Sequence, residues 1–399
     1  MGPLHGVRIV EFAGIGPGPF ACMMLADMGA DVLRIDRAAD DNGSPDRTDD
    51  RSKETLLRGR KSVTLNLKKP ADLDVALKLT GRADALVEGF RPGVMERLGL
   101  GPDVCMKRNP ALVYGRMTGW GQNGPLAGAA GHDINYIALS GALWSVGETD
   151  CDPVPPLNLL GDYGGGAMFL AFGIVCALLR ARQTGQGDVV DAAICDGTAA
   201  LMAPVYSALS RDLWVNQRGA NRLDGGAPYY GVYKCADDRW ISIAPLEAKF
   251  WALFLKLLKI DPETMPERLD PENWKELKRR FKTIFAERPR AYWCALFEGT
   301  DICFAPVLDL QEAKDHPHNR ARGILREKDG HIQPMPAPRY KQASPELPSP
   351  PPAPGAHNKT ALSDWGIADT GDRGPDNTAK SDAVCTGAAG QDNNSSLPR

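Results

Sequence analysis

The chain has 399 residues, 43% of them apolar, and a formal net charge of −3, which fits two domains plus a tail around a sizeable core. So slight a charge gives no overall electrostatic footprint for nucleic acid. The nine cysteines, scattered from Cys22 to Cys385, form no C-x-x-C pair and no Cys/His zinc spacing, which favours reduced thiols in a reducing compartment.

The N-terminus, Met1 to Gly6, lacks the basic and apolar blocks of a signal peptide. Val7 to Phe12 reads as a strand, Pro19 to Met28 as a helix and Asp31 to Asp36 as a second strand. Between the first two, Gly14-Ile15-Gly16-Pro17-Gly18-Pro19 imitates a dinucleotide fingerprint. The fingerprint needs glycine where Pro19 stands, and two prolines remove N–H groups that a pyrophosphate would use. A rigid turn with Pro19 in the first helical turn is the better reading. Alternation continues with a strand at Ser62 to Leu67, a helix at Ala71 to Thr80 and a strand at Ala85 to Glu88. A short helix at Pro92 to Leu98 and a strand at Leu112 to Met117 follow. The expected fold class is α/β, with a large doubly wound parallel sheet.

The longest apolar run, Ala167 to Leu179, is too short to span a bilayer and is interrupted by Gly173; it is expected as a buried helix, with no membrane span. From Gly226 the texture changes. Pro228 to Lys234 and Arg239 to Ala244 form an expected hairpin around Asp237-Asp238, followed by amphipathic helices from Glu247 to about Leu296. The expected organisation is a large α/β domain over 1–223 and a smaller α+β domain over 224–330. A return segment over 331–343 and a tail over 344–399 complete it. Ser344 to Pro354 is Pro-rich and favours polyproline II. Thr360 to Gly366 has the pattern of one helical turn, and Ala368 to Arg399 is expected to be disordered. The terminal Ser396-Leu397-Pro398-Arg399 is not a peroxisomal S-K-L signal. The expected compartment is the cytoplasm, with peroxisome or mitochondrion as the alternative.

Two stretches carry chemistry: Gly131-His132-Asp133-Ile134-Asn135-Tyr136 and Gly161-Asp162-Tyr163-Gly164-Gly165-Gly166. Each puts a proton carrier beside small residues where a loop enters an apolar helix. Neutral imidazole is the best side-chain base near neutral pH. Removing the α-proton of a thioester further needs a stabilised enolate oxygen and an acid on the opposite face. Amides at the start of the helix Asp133 to Gly141 offer such an oxyanion site. On spacing alone, a base at His132 and a simple helix start capped by Asp133 stand level. Asp162 is likewise an acid/base or an N-cap; the three glycines after it, costly in backbone entropy, point to a ligand passing close to the backbone.

These stretches resemble the α-methylacyl-CoA racemases of the class III CoA-transferase superfamily. So do Glu88 to Val94, Arg116 to Gln122, Pro156 to Asp162 and Leu223 to Tyr230, and the similarity runs from about Leu4 to Arg339. The resemblance implies an interlocked homodimer and racemisation of 2-methylacyl-CoA thioesters through an enolate, in branched-chain lipid metabolism, with no cofactor and no metal. It implies His132 and Asp162 as the two acid/base groups, Glu247 as the partner of the histidine, and the Asp133 amide at the enolate oxygen. For Glu247 the surrounding Leu246-Glu247-Ala248-Lys249 departs from the family's usual glutamate-proline-glutamine. It implies that Arg37, Leu65-Asn66-Leu67-Lys68 and Arg91 lie along CoA, with Gly131, Ile134, Asn135 and Tyr136 also on the substrate and Gly14 to Gly18 as a channel wall. Arg58, Arg60, Lys61, Lys68, Lys69 and Arg91 form a local excess of cations suited to a polyanionic ligand. Any one of them also reads as a solvated surface cation, as Lys69 does here. The rival reading is a CoA-transferase using Asp162 as nucleophile; His132, for which a transferase has no use, discriminates against it. A CoA-binding protein without chemistry leaves both proton carriers unexplained.

Overall fold

The computed structural model describes residues 1–38, 51–328, 330–343 and 347–367. The expected disordered stretch Ala368 to Arg399 and part of the Pro-rich segment lie outside them.

The alternation seen in the sequence builds the large sheet. In chain order come β1 (Arg8–Phe12), α1 (Pro17–Asp27), β2 (Asp31–Arg37), β3 (Arg60–Leu65), α2 (Pro70–Thr80), β4 (Ala85–Glu88), α3 (Val94–Arg97), α4 (Pro102–Arg108) and β5 (Val113–Thr118). Then follow α5 (Asp133–Leu139), a π-helical segment Leu159–Ala167, α6 (Met168–Thr184), β6 (Val189–Ala193), α7 (Ile194–Leu201) and α8 (Ala203–Leu209). The sheet order is β3-β2-β1-β4-β5-β6, and every pair is parallel. Successive residues of β1 point to opposite faces. Ile9 therefore joins a core with α1 and α6, while Val10 joins another with α2, α4 and the C-terminal segment. Both faces are covered, as a doubly wound sheet requires. β6, which the sequence reading did not find, is a short edge strand whose apolar run Asp191 breaks.

The π-helical segment and α6 make one continuous helix of 26 residues, the one described helix long and apolar enough to cross a membrane; half of its most apolar window is buried inside the protein. It is longer than the apolar run expected from sequence, and it is buried on one face only. Leu170, Ile174 and Leu178 enter the core, whereas Phe172 is 71% and Leu179 62% exposed.

A second sheet carries β7 (Gly231–Lys234), β8 (Trp240–Ile243) and β9 (Phe304–Val307), all antiparallel. The tight connection is the expected one, with Asp238 at φ 59°; β9 was not foreseen. The helices α9 (Ala248–Leu258), α10 (Trp274–Phe285) and α11 (Arg290–Phe297) pack on it. Phe254, Phe281, Phe285 and Phe297 form its fully buried aromatic core. After α12 (Leu310–Asp315) and α13 (Pro317–Arg322), β10 (Leu325–Lys328) pairs antiparallel with β11 (His331–Pro334), with which the expected return segment begins.

The C-terminal segment closes the large sheet. Ser62 N–H donates to His357 Nδ1 at 3.1 Å and Thr64 N–H to Asn358 Oδ1 at 2.9 Å, so the outer edge of β3 is covered. The helix α14 (Thr360–Asp364) and its following turn then bury Leu362 and Trp365 in the second core.

The expected cationic cluster is largely consumed by this framework. Arg58 is buried and grips Asp27 with two bonds, at 2.9 and 2.6 Å. Arg60 is buried against Glu11 at 3.0 Å, which also holds Arg34 at 2.6 Å. Lys61 pairs with Asp31 and Asp364. Breaking such a buried pair strands a charge without solvent, so Arg58 and Arg60 belong to the fold and are not available to a ligand.

Candidate active site

Ligands of open α/β sheets bind beyond the carboxyl ends of the strands, where the strand order reverses. Here the order reverses between β1 and β4. The turn leaving β1 carries Gly16 at φ 67°, and a Cβ on Gly16 would stand 3.3 Å from Asp162 Oδ2. The turn set aside as a nucleotide fingerprint is thus a wall against the Asp162 carboxylate.

Asp162 lies in the first turn of the π-helical segment rather than at an N-cap, for the cap position is Asn158. The wider i→i+5 winding shows in Tyr163 N–H donating to Asn158 O at 3.3 Å. Such segments recur at functional sites. The glycines have a different reason from the one expected. A Cβ on Gly165 would meet Thr198 Oγ1 at 2.3 Å, one on Gly166 would meet Ile194 at 2.9 Å, and one on Gly197 would meet Gly165 O at 1.8 Å. The glycines let this backbone lie directly on α7, and the protein itself fills the space assigned to a ligand. Stacking of Phe20 on Tyr163, with centroids 4.5 Å apart, ties the same turn to α1.

His132 is the N-cap of α5, with extended backbone at φ −134° and ψ 173°. Its N–H donates to Asn135 Oδ1 at 3.0 Å, and its ring is exposed. The next amide, that of Asp133, is among the first-turn donors that a helix leaves unspent. The Asp133 carboxylate turns away from this opening and accepts the backbone N–H of Asp162 at 2.7 Å. Tyr136, on α5, is fixed by its hydroxyl, which donates to Gly131 O, and by edge-on packing on Trp120 at 4.6 Å. Gly119 is required there, because its Cβ would overlap the Tyr136 ring at 2.0 Å.

Partial burial holds the Asp162 carboxyl above the ordinary carboxylate range. The bond that Asn158 Nδ2 donates to Asp162 Oδ2, at 3.2 Å, opposes the rise; the Asp133 charge adds to it and the His132 charge opposes it. His132 and Asp162 therefore act on each other electrostatically. Asn158, inside the stretch Pro156 to Asp162, is a site residue that the resemblance does not single out. Its signal was the four-residue spacing to Asp162, the separation at which helical side chains meet.

The other sequence candidates are placed as follows. Arg91 is exposed and close enough for its charge to act on Tyr136, whose hydroxyl pKa burial raises. Arg37 is at the exposed end of β2. Leu65 is buried in the core of β3, so its side chain is withdrawn from any ligand. Asn66 forms the following turn, its N–H donating to Asp72 at 2.8 Å and its side chain accepting from Lys68 N–H at 3.1 Å. Leu67 is half-buried and Lys68 exposed; Ile134 and Asn135 are exposed on the first turn of α5, beside half-buried Gly131. Glu247 caps α9 in the second sheet's unit and is exposed. Among the described residues no hydrogen bond or ion pair joins it to His132 or Asp162.

The arrangement can move protons at two points held in one frame, with amide donors beside the first. Comparison with known proteins agrees in extent. The pattern of CoA-transferase family III matches residues 4–358. The chain is 42% identical over 368 residues to the alpha-methylacyl-CoA racemase of Mus musculus, spanning 92% of this chain and 94% of that protein. It is 40% identical to the alpha-methylacyl-CoA racemase of Homo sapiens over the same shares. The fold superposes on a CAIB/BAIF family protein from Brucella suis with a TM-score of 0.77 at 22% identity, covering 91% of this chain and 99% of the other.

Proposed function

The chain belongs to CoA-transferase family III, and we propose that within it the protein is an isomerase, an α-methylacyl-CoA racemase acting on 2-methylacyl-CoA thioesters. The single observation that carries this is the pairing of an exposed histidine at a helix start with a carboxyl kept above its usual range, on two segments bonded together through Asp133 and the Asp162 amide.

In the forward direction neutral His132 takes the C2 proton from one face. Negative charge develops on the thioester oxygen, and the Asp133 N–H donates to it; such preorganised donors contribute about a hundredfold or more in rate. Protonated Asp162 returns a proton to the opposite face. The reverse reaction begins with Asp162 as carboxylate and His132 as imidazolium, so each turnover leaves the site set for the other enantiomer. A raised carboxyl pKa suits this double duty, because a group working as both acid and base is best matched near the operating pH.

Arg37, the turn Asn66 to Lys68 and Arg91 are assigned to the CoA moiety, with Gly131 to Tyr136 on the acyl-thioester. A homodimer completes the site. In support, Leu139, Phe172, Leu179 and Leu213 leave large apolar side chains more than 60% exposed on α5, α6 and the segment after α8, side chains that a partner subunit would cover. Glu247 is assigned to the partner's His132 across that boundary. Incubation with a 2-methylacyl-CoA in deuterated water tests the reading. Deuterium at C2 with epimerisation is expected; movement of CoA to a free acid without exchange would replace it with transferase chemistry through Asp162. Size-exclusion chromatography checks the dimer.

A further inference from the structure

We propose that the Asp133 side chain is the positioning residue that holds the two proton carriers in one geometry, separately from the part its backbone amide plays at the enolate. The inference rests on the racemase reading and adds to it a side chain that touches neither substrate nor proton.

Asp133 follows His132 directly, so its backbone is the first turn of α5. Its carboxylate reaches across to the π-helical segment and accepts the Asp162 N–H at 2.7 Å. That N–H lies in the first turn, where the winding provides no partner of its own. A movement of the start of α5 away from the Asp162 turn must therefore stretch this bond. The surroundings are shaped for it. Gly161 is buried, and a Cβ there would stand 2.2 Å from Asp133 Oδ2 and 2.8 Å from Ile137. Glycine at this point admits the carboxylate, and any larger residue expels it.

The same carboxylate has an electrostatic consequence. It lies beside the Asp162 carboxyl and favours its protonated form, while His132 disfavours it; burial is the larger cause of the rise. Tyr136 also faces Asp162 from α5. The turn before α1 meets it through uncharged Gly16, and Asn158 on its own segment is neutral. Asp133 is thus placed to set both where Asp162 stands and when it holds its proton.

Two substitutions separate these effects. Asp133→Asn keeps an oxygen acceptor of the same reach without the charge; Asp133→Ala removes both. In the full-length protein, with circular dichroism and a melting curve confirming the fold, Asp133→Ala should lower kcat about a hundredfold, the cost of a misplacement near 1 Å, with KM little changed. Asp133→Asn should stay within about threefold in kcat, because the bond survives. Its pH profile should show the Asp162-dependent limb moved to lower pH, which a merely structural residue would not do. If Asp133→Ala fails to fold, Gly161→Ala attacks the same bond from the other side and should lose activity to a similar degree. Asp133→Ala within twofold of wild type, or Asp133→Asn as inactive as Asp133→Ala, overturns the proposal while His132→Ala and Asp162→Ala remain inactive. Full activity in His132→Ala and Asp162→Ala would instead overturn the assignment of the two proton carriers, and absence of C2 exchange in the wild-type protein would overturn the racemase reading beneath it.

Discussion

The indole Nε1 of Trp365 donates to Asp31 Oδ2 at 3.0 Å, joining residues 334 apart in the chain. Trp365 is fully buried, with the Arg8 guanidinium 5.5 Å from its ring centroid. One side chain near the end of the described chain thus completes a core begun by β1 and β2. Replacing it by alanine should cost about 3–5 kcal/mol of stability, the range for deleting a large buried aromatic. Urea unfolding measures this, and a loss below 1 kcal/mol would show that the segment is merely laid on the sheet. The folded fraction should keep its activity, since Asp31 begins β2 whereas the turn facing Asp162 lies beyond the carboxyl end of β1.

His132→Ala and Asp162→Ala should each slow racemisation by about two to four orders of magnitude, the span of a positioned acid or base. The losses should be asymmetric. Each variant should fail to exchange deuterium into the enantiomer whose proton its missing group removes, and retain some exchange into the other. Equal small losses in both enantiomers would contradict a two-sided site.

Asn158→Ala removes a hydrogen bond that favours the charged form of Asp162. The Asp162 pKa, already raised, should rise further. The limb of the rate profile that needs Asp162 as carboxylate should therefore move to higher pH, with kcat down about tenfold from lost orientation. An unmoved limb would mean that Asn158 only ends the loop.

Asp162 also links pH to stability. A carboxyl whose pKa is raised on folding binds its proton more tightly in the native state, so ionisation disfavours the fold. The penalty is absent below the ordinary carboxylate value of about 4, and it is fully present above the raised native value. Asp162→Asn should therefore melt at a higher temperature than wild type at neutral pH while losing activity. The difference should shrink towards zero in acid. A variant that melts lower at neutral pH would reverse the sign of this argument.

Dialysis against a strong chelator should leave the activity unchanged, because the enolate charge is assigned to the Asp133 amide and the start of α5. Loss of activity restored by one divalent ion would show that a cation does this work.

Features that depend on near neighbours were legible in the sequence. Short apolar runs such as Val7 to Phe12 marked strands, and their succession with helices implied a parallel sheet. His132 and Asp162 could be chosen because a proton carrier flanked by small residues at a helix start is a local pattern. What the sequence could not decide depends on distant partners. The glycines after Asp162 look like room for a ligand until α7 is seen lying against them. Arg58 and Arg60 look like phosphate ligands until Asp27 and Glu11 are found buried beside them. β6, β9 and the β10–β11 pair are only four or five residues long, too short for their own periodicity to mark them, and they are held by distant partners. The bond from Asp162 to Asp133 spans 29 residues; no spacing rule announces it, because only the packing of α5 on the π-helical segment brings donor and acceptor together and removes the water that would otherwise compete for both.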